Sequence, residues 1–173
     1  IVVAEGNPVY DSREGCNAII ETRTNTLFYG CKSTIIPESV KAIGDWAFAG
    51  CTSHESIVIP KGVREIGRNA FAGCASPNII IPESVKEIGD YAFGGCCSLE
   101  SIVIPKGVTK ITNSAFRDCT SLKEIIIPES VKAIGDYAFA GCTSLESIVI
   151  PKGVTMIGNS AFEDCTSIKE ITI

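Results

Sequence analysis

From Pro37 onward, apolar and polar positions recur in blocks of 22 or 23 residues. Each block holds an apolar triplet, a proline, a Val-x-x-Ile stretch and an Ala-Phe pair with a cysteine three residues beyond the phenylalanine. The prolines are Pro37, Pro60, Pro82, Pro105, Pro128 and Pro151, spaced by 23, 22, 23, 23 and 23. Phe48, Phe71, Phe93, Phe116, Phe139 and Phe162 keep step, and so do Cys51, Cys74, Cys96, Cys119, Cys142 and Cys165. The short spacing falls between Cys74 and Pro82, where Pro77 replaces the expected leucine and one residue is lost. A fixed period of this length predicts stacked supersecondary units, because one unit cannot bury its own apolar face.

The triplets include Ile57-Val58-Ile59, Ile79-Ile80-Ile81, Ile102-Val103-Ile104 and Ile125-Ile126-Ile127. β-Branched residues before a proline predict a short strand that the proline ends. Val-x-x-Ile, as in Val108 and Ile111, turns the chain and adds two inward residues. The stretch Gly-Asp/Asn-x-Ala-Phe-x-x-Cys predicts about one helical turn. Asp45, Asp90, Asn113, Asp136 and Asn159 stand where its N-cap oxygen is wanted, and a glycine precedes each except at Thr112. Leu99, Leu122, Leu145 and Ile168 lie upstream of their triplets, giving Leu-x-x-Ile-x-Ile. The whole pattern resembles the BspA-like leucine-rich repeats of bacterial surface proteins, and does so across residues 34–173. That resemblance implies a leucine-rich-repeat solenoid, mainly β. It would have a parallel sheet of about eight short strands, one per rung, and short helical turns on the convex side.

Residues 37–173 then form six tandem repeats, and residues 1–36 a variant N-terminal rung. Ile1-Val2-Val3 and Thr34-Ile35-Ile36 read as strands of the sheet. Between them, Cys16–Glu21 and Thr26–Cys31 flank Thr22-Arg23-Thr24-Asn25 in a hairpin pattern. If Glu21 faces Thr26, Cys16 faces Cys31, and antiparallel neighbours can meet disulfide geometry. Alternatively Phe28-x-Gly30-Cys31 mirrors Phe48-x-Gly50-Cys51 and places Cys31 in the cysteine column. The stretch from Asn7 to Thr22 also resembles a variant rung found inside BspA-like arrays. Ile1–Val3 and Ile171–Ile173 read as open edges through which copies could associate end to end.

A second period overlies the first. Ile-Pro-Glu-Ser-Val alternates with Ile-Pro-Lys-Gly-Val, so Glu38, Lys61, Glu83, Lys106, Glu129 and Lys152 alternate in sign at one position. Neighbours in a parallel stack lie about 4.8 Å apart, where opposite charges attract. Residues 85–108 and 131–154 differ only at Glu87/Ala133, Gly94/Ala140 and Cys97/Thr143, which implies recent duplication or a designed array.

The 173 residues carry a net charge of −5 and no Lys/Arg cluster, which disfavours a nucleic-acid partner. No apolar run approaches the 18 or so residues that cross a membrane. Six of the nine cysteines share one repeat position and read as buried apolar residues. A straight column suits neither disulfides nor tetrahedral zinc, and no metal or cofactor is expected. Cys97 is the thiol expected to react first. His54, the single histidine, takes the leucine position of its unit and reads as a core substitute rather than a general base. No nucleophile motif or phosphate-cradling loop is present, so no catalytic residue is assigned and the chain is not expected to be an enzyme.

Two surface features remain. The middle triplet residues Val58, Ile80, Val103, Ile126 and Val149 point away from the core and form an apolar stripe. In leucine-rich repeats that face is concave and usually binds. Trp46, Tyr91 and Tyr137 recur in alternate units as a secondary candidate, about 10 Å apart, suited to a sugar or a protein anchor. The family resemblance implies a cell-surface or secreted bacterial protein that adheres to host matrix proteins or to other cells. The alternatives are a structural spacer within a longer surface protein and, more remotely, a glycan-binding surface.

Overall fold

The structure, a computed structural model, describes residues 1–52 and 56–173. The expectation for His54 lies outside the described residues. The chain winds as a parallel β solenoid of about six turns, mainly strand and turn.

Each turn contributes two short strands, on different sides of the coil. The front strands come from the triplets: Ile57–Val58, Ile79–Ile80, Ser101–Val103, Glu124–Ile126, Ser147–Val149 and Glu170–Thr172. The back strands come from Val-x-x-Ile: Ala42–Ile43, Glu65–Ile66, Glu87–Ile88, Lys110–Ile111, Ala133–Ile134 and Met156–Ile157. A single sheet of about eight strands is therefore corrected to two sets. The Val-x-x-Ile stretch is extended enough to ladder with its neighbours rather than merely turning the chain.

Front strands pair in twos: Ile57–Val58 with Ile79–Ile80, Ser101–Val103 with Glu124–Ile126, and Ser147–Val149 with Glu170–Thr172. The back ladder is continuous from Thr26–Tyr29 to Glu87–Ile88 and again from Lys110–Ile111 to Met156–Ile157. Its break has a sequence cause. Gly44, Gly67, Gly89, Gly135 and Gly158 each donate their backbone N–H to a carbonyl of the preceding rung at 2.8 Å. These glycines are needed for close approach: a Cβ on Gly89 would come within 2.6 Å of the Arg68 nitrogen. Thr112 carries that Cβ, and its hydroxyl bonds the Gly89 carbonyl at 2.9 Å instead. The ladder is interrupted at that rung.

The helical turn expected over Gly-Asp/Asn-x-Ala-Phe-x-x-Cys is, among the described residues, a run of separate hydrogen-bonded turns, as from Ala47 to Gly44 and from Cys51 to Phe48, rather than a helix. The residue two before each phenylalanine is left-handed: Trp46, Asn69, Tyr91, Ser114, Tyr137 and Ser160 have φ between 51° and 61°. That conformation cannot continue a right-handed helix. The Asp and Asn side chains cap the next rung instead. Asp45 Oδ1 accepts the Arg68 N–H at 2.7 Å, Asp90 that of Asn113 at 3.0 Å, Asn113 that of Asp136 at 3.0 Å, and Asp136 that of Asn159 at 2.7 Å. Among the described residues the one short 3₁₀ turn is Arg13–Gly15, and Glu14 within it is also left-handed.

Inside the coil the six phenylalanines stack face to face with centroids 5.3 to 5.6 Å apart. Beside them, the thiols of Cys96, Cys119 and Cys142 each donate to the phenylalanine carbonyl of the preceding rung at 3.1 Å. Ala47, Ala70, Ala92, Ala115, Ala138, Leu99, Leu122 and Leu145 are buried with them, as are the inward valines and isoleucines of both strand sets.

The N-terminal region differs from the expectation in register. Ile19–Glu21 and Thr26–Tyr29 pair antiparallel with Glu21 opposite Thr26, but a bulge between Ile19 and Ile20 shifts the rest. Cys16 and Cys31 are both free thiols. Leu27 pairs with Ile43, and Gly30 donates its N–H to Ala47 at 2.8 Å, as Phe48 does to Ala70. Gly30, not Phe28, thus holds the phenylalanine position. A Cβ there would enter the Phe48 ring, so the glycine lies flat on the end of the stack. Cys31 consequently stands outside the cysteine column. Ile1–Val3 and Thr34–Ile36 form no strand.

The alternating Glu38 to Lys152 row forms no ion pair among the described residues. The alternation has other partners. Ser84 and Ser130 donate to the Val63 and Val108 carbonyls at 2.6 Å. The ammonium groups of Lys86 and Lys132 lie over Gly107 and Gly153, in the space that a Cβ would otherwise take. Glu83 accepts the Lys106 backbone N–H at 3.1 Å. Opposite charges do meet across rungs elsewhere, at Lys123–Glu100 (2.9 Å) and Lys169–Glu146 (2.8 Å).

Candidate interaction surface

The front face follows from strand alternation. Ile102 and Ile104 turn into the core, so Val103 between them turns to solvent. The same holds along the row, where Val58, Ile80, Val103, Ile126 and Val149 are 61, 55, 56, 52 and 64% exposed. In-register pairing sets Val58 beside Ile80 and Val103 beside Ile126. Ile35, 80% exposed, adds a further aliphatic side chain and lines a groove with Val58. It was legible in Thr34-Ile35-Ile36-Pro37, which fits the triplet-proline pattern. A groove of about 460 Å³ runs between Val103 and Ile126 on one side and the Glu83, Lys106 and Glu129 row on the other.

The three aromatic residues are not equivalent. Trp46 is 59% exposed. Tyr91 folds onto Gly94, whose missing side chain leaves room for the ring, and burial raises its phenol pKa. Tyr137 has Ala140 in place of that glycine, is 38% exposed, and lies under the Arg117 guanidinium 5.4 Å from the ring centre. The Arg117 contact has no counterpart in the repeat consensus and could not be read from spacing. The row is therefore one free aromatic ring, one tucked ring and one ring held under a cation.

Burial pushes the thiols of Cys74 and Cys142 up to about 12, so the column holds protonated donors rather than reactive thiolates. Cys97 is exposed with its sulfur 3.7 Å from the Asp118 carbonyl. Cys31 is half-buried, and the Ser33 hydroxyl lowers its pKa against the opposing effect of burial. It joins Cys97 as an accessible thiol, from a tripeptide context the repeat alignment did not single out. Among the described residues no group of three or more His, Cys, Asp or Glu side chains is placed to hold a metal. No described helix is long and apolar enough to cross a membrane.

Comparison with known proteins agrees with this geometry. The model of the BspA type leucine-rich repeat region matches residues 21–99 and 86–173, in six copies. A leucine-rich repeat protein of T. pallidum superimposes with a TM-score of 0.59 at 25% identity, covering 99% of this chain and 71% of that one. One from Eubacterium ventriosum gives a TM-score of 0.69 at 27% identity, covering 97% of this chain and 52% of its own. The pneumococcal vaccine antigen PcpA shares the fold, with a TM-score of 0.58 at 23% identity over 98% of this chain and 37% of that one. The chain thus spans about half of the Eubacterium protein and less of PcpA. No curated protein sequence gives a significant match. Six in-phase repeat matches, on a coil with the described strand and phenylalanine ladders, place the chain in the BspA-type leucine-rich repeat family.

Proposed function

We propose that the chain is a non-catalytic protein-binding module whose front face makes the contact, working at the cell surface or outside the cell. One observation carries the reading: five aliphatic side chains in a row are each more than half exposed on paired strands. An ordered apolar stripe of that kind favours association with another protein. The backbone ladders hold it rigid, which lowers the entropy lost on binding. Membership of a family with bacterial relatives supports a repeat module for protein interaction. Adhesion to host matrix proteins or to other cells is the use we favour. A spacer role within a longer surface protein is the second reading, favoured by the length of the Eubacterium and pneumococcal proteins relative to this chain.

The test is a binding screen against matrix proteins and glycans, comparing the wild-type chain with Val103→Ser/Ile126→Ser. Both positions are exposed, so the double variant should melt within a few degrees of wild type. Binding lost in the variant supports the front face. Binding that survives moves the site to Trp46 and its neighbours, and the absence of any binding favours the spacer.

A further inference from the structure

The front face carries a regularity that the stripe alone does not explain. Rungs with valine in the stripe have lysine after the proline and serine before the triplet, whereas the next rung reads Glu124, Ile126 and Glu129. Ser101, Val103 and Lys106 are the matching residues of its partner rung. Ser101 pairs with Glu124 and Val103 with Ile126, and all six side chains are exposed. Lys106 and Glu129 line the same groove as Val103 and Ile126. Among the described residues neither charge has an ion-pair partner within the chain.

We propose that this face binds a second copy of the chain, as an antiparallel twofold dimer centred between Val103 and Ile126. The inference rests on the reading of the front face as an interaction surface. Take a twofold axis in the plane of the face, along the strand direction and midway between these two rungs. It brings each rung opposite the one at equal distance beyond the axis. Lys106 then meets the partner's Glu129, and Glu129 meets the partner's Lys106. Ser101 meets the partner's Glu124, a hydroxyl donor against a carboxylate. Val103 meets the partner's Ile126, so the smaller side chain faces the larger. A pattern that alternates every second rung is complementary to its own reversed copy.

The competing arrangement fails on charge. A twofold along the solenoid axis sets equal rungs opposite and exchanges the two flanking rows. Glu129 would then face the partner's Glu124, two carboxylates in contact. An acidic or a basic partner would be repelled at every second rung.

Twisted sheets packed face to face cross at about 30°. A face of about four rungs, each about 4.8 Å from the next, is small for a stable complex. The dimer should form in the micromolar range.

Sedimentation equilibrium tests the proposal on four chains: wild type, Lys106→Glu, Glu129→Lys and the double reversal. Both positions are exposed, and the Lys106 backbone N–H that Glu83 accepts is unchanged by substitution. Melting curves check that each variant stays folded. The wild type should dimerise reversibly. Each single reversal creates two like-charged contacts across the axis and should raise the dissociation constant about tenfold or more. The double reversal exchanges the charges on both copies and should return it to within about threefold of wild type. A monomer at every concentration, a dimer indifferent to the reversals, or a double variant no better than the singles each overturns the proposal. A monomer that still captures a matrix protein through Val103 and Ile126 overturns the dimer alone. A monomer that binds nothing through that face overturns the interaction reading as well.

Discussion

The phenylalanine corner and the front face are two sides of the same repeat, yet they follow different periods. At the corner every rung is alike: six phenylalanines stack, and successive thiols donate to the carbonyls behind them. On the front face and the turn after it, rungs alternate, Val with Ile, Lys-Gly with Glu-Ser. The difference lies in what each contact asks of its two partners. A ring stacked on a ring, or a thiol on a backbone carbonyl, works with the same residue at every level. A lysine lies across the next rung in the space that glycine leaves open, and an ion pair needs opposite charges. Such contacts join unlike residues, so the repeat doubles.

The sharpest way to break this comparison is to remove one ring from the uniform column. Phe93 is fully buried between Phe71 and Phe116. Phe93→Ala should cost about 3–5 kcal/mol, read from the urea midpoint. A loss below about 1 kcal/mol would mean that the column does not hold the rungs together.

The thiols give a second and slower break, driven by pH. Their folded pKa values, about 12 at Cys74 and Cys142, lie above the ordinary value of 9.0. The folded state therefore holds protons that the unfolded state releases. Stability from this source is complete below pH 9 and falls as pH rises toward 12. Urea midpoints at pH 8 and pH 10.5 should differ in a Cys142-containing chain and differ less in Cys142→Ala. Equal pH dependence in both would show that the column does not titrate in this way.

The smallest effect belongs to the alternating surface. The Lys123–Glu100 pair is more than half exposed on both sides. Lys123→Ala should cost below about 1 kcal/mol, and the loss should shrink further in high salt. A cost comparable with Phe93→Ala would erase the distinction between the two sides of the coil.

The repeat boundaries, the buried column and the outward stripe were legible because each rests on identity or alternation at fixed spacing. Val103 and Ile126 are outward because their neighbours are inward, and that follows from strand geometry alone. The aromatic row was less legible. Tyr91 and Tyr137 occupy one repeat position, but Gly94 against Ala140, and Arg117 from the intervening rung, give the two rings different surroundings. The N-terminal rung misled by its likeness. Phe28-x-Gly30-Cys31 copies Phe48-x-Gly50-Cys51, while the pairing of Leu27 with Ile43 sets Gly30 against the ring instead.

By itself the sequence determined that the chain coils in rungs of 22 or 23 residues, which residues fill the core, and which aliphatic side chains reach solvent. These follow from periodic burial, which is local and repeats. The tertiary structure decided which groups on neighbouring rungs meet. It turned the Asp and Asn side chains from helix caps into caps for the next rung, and the Val-x-x-Ile bend into a second ladder. It also interrupted that ladder at Thr112. Those outcomes depend on contacts between residues 22 or 23 apart, where a single Cβ or a left-handed φ sets the approach of two backbones.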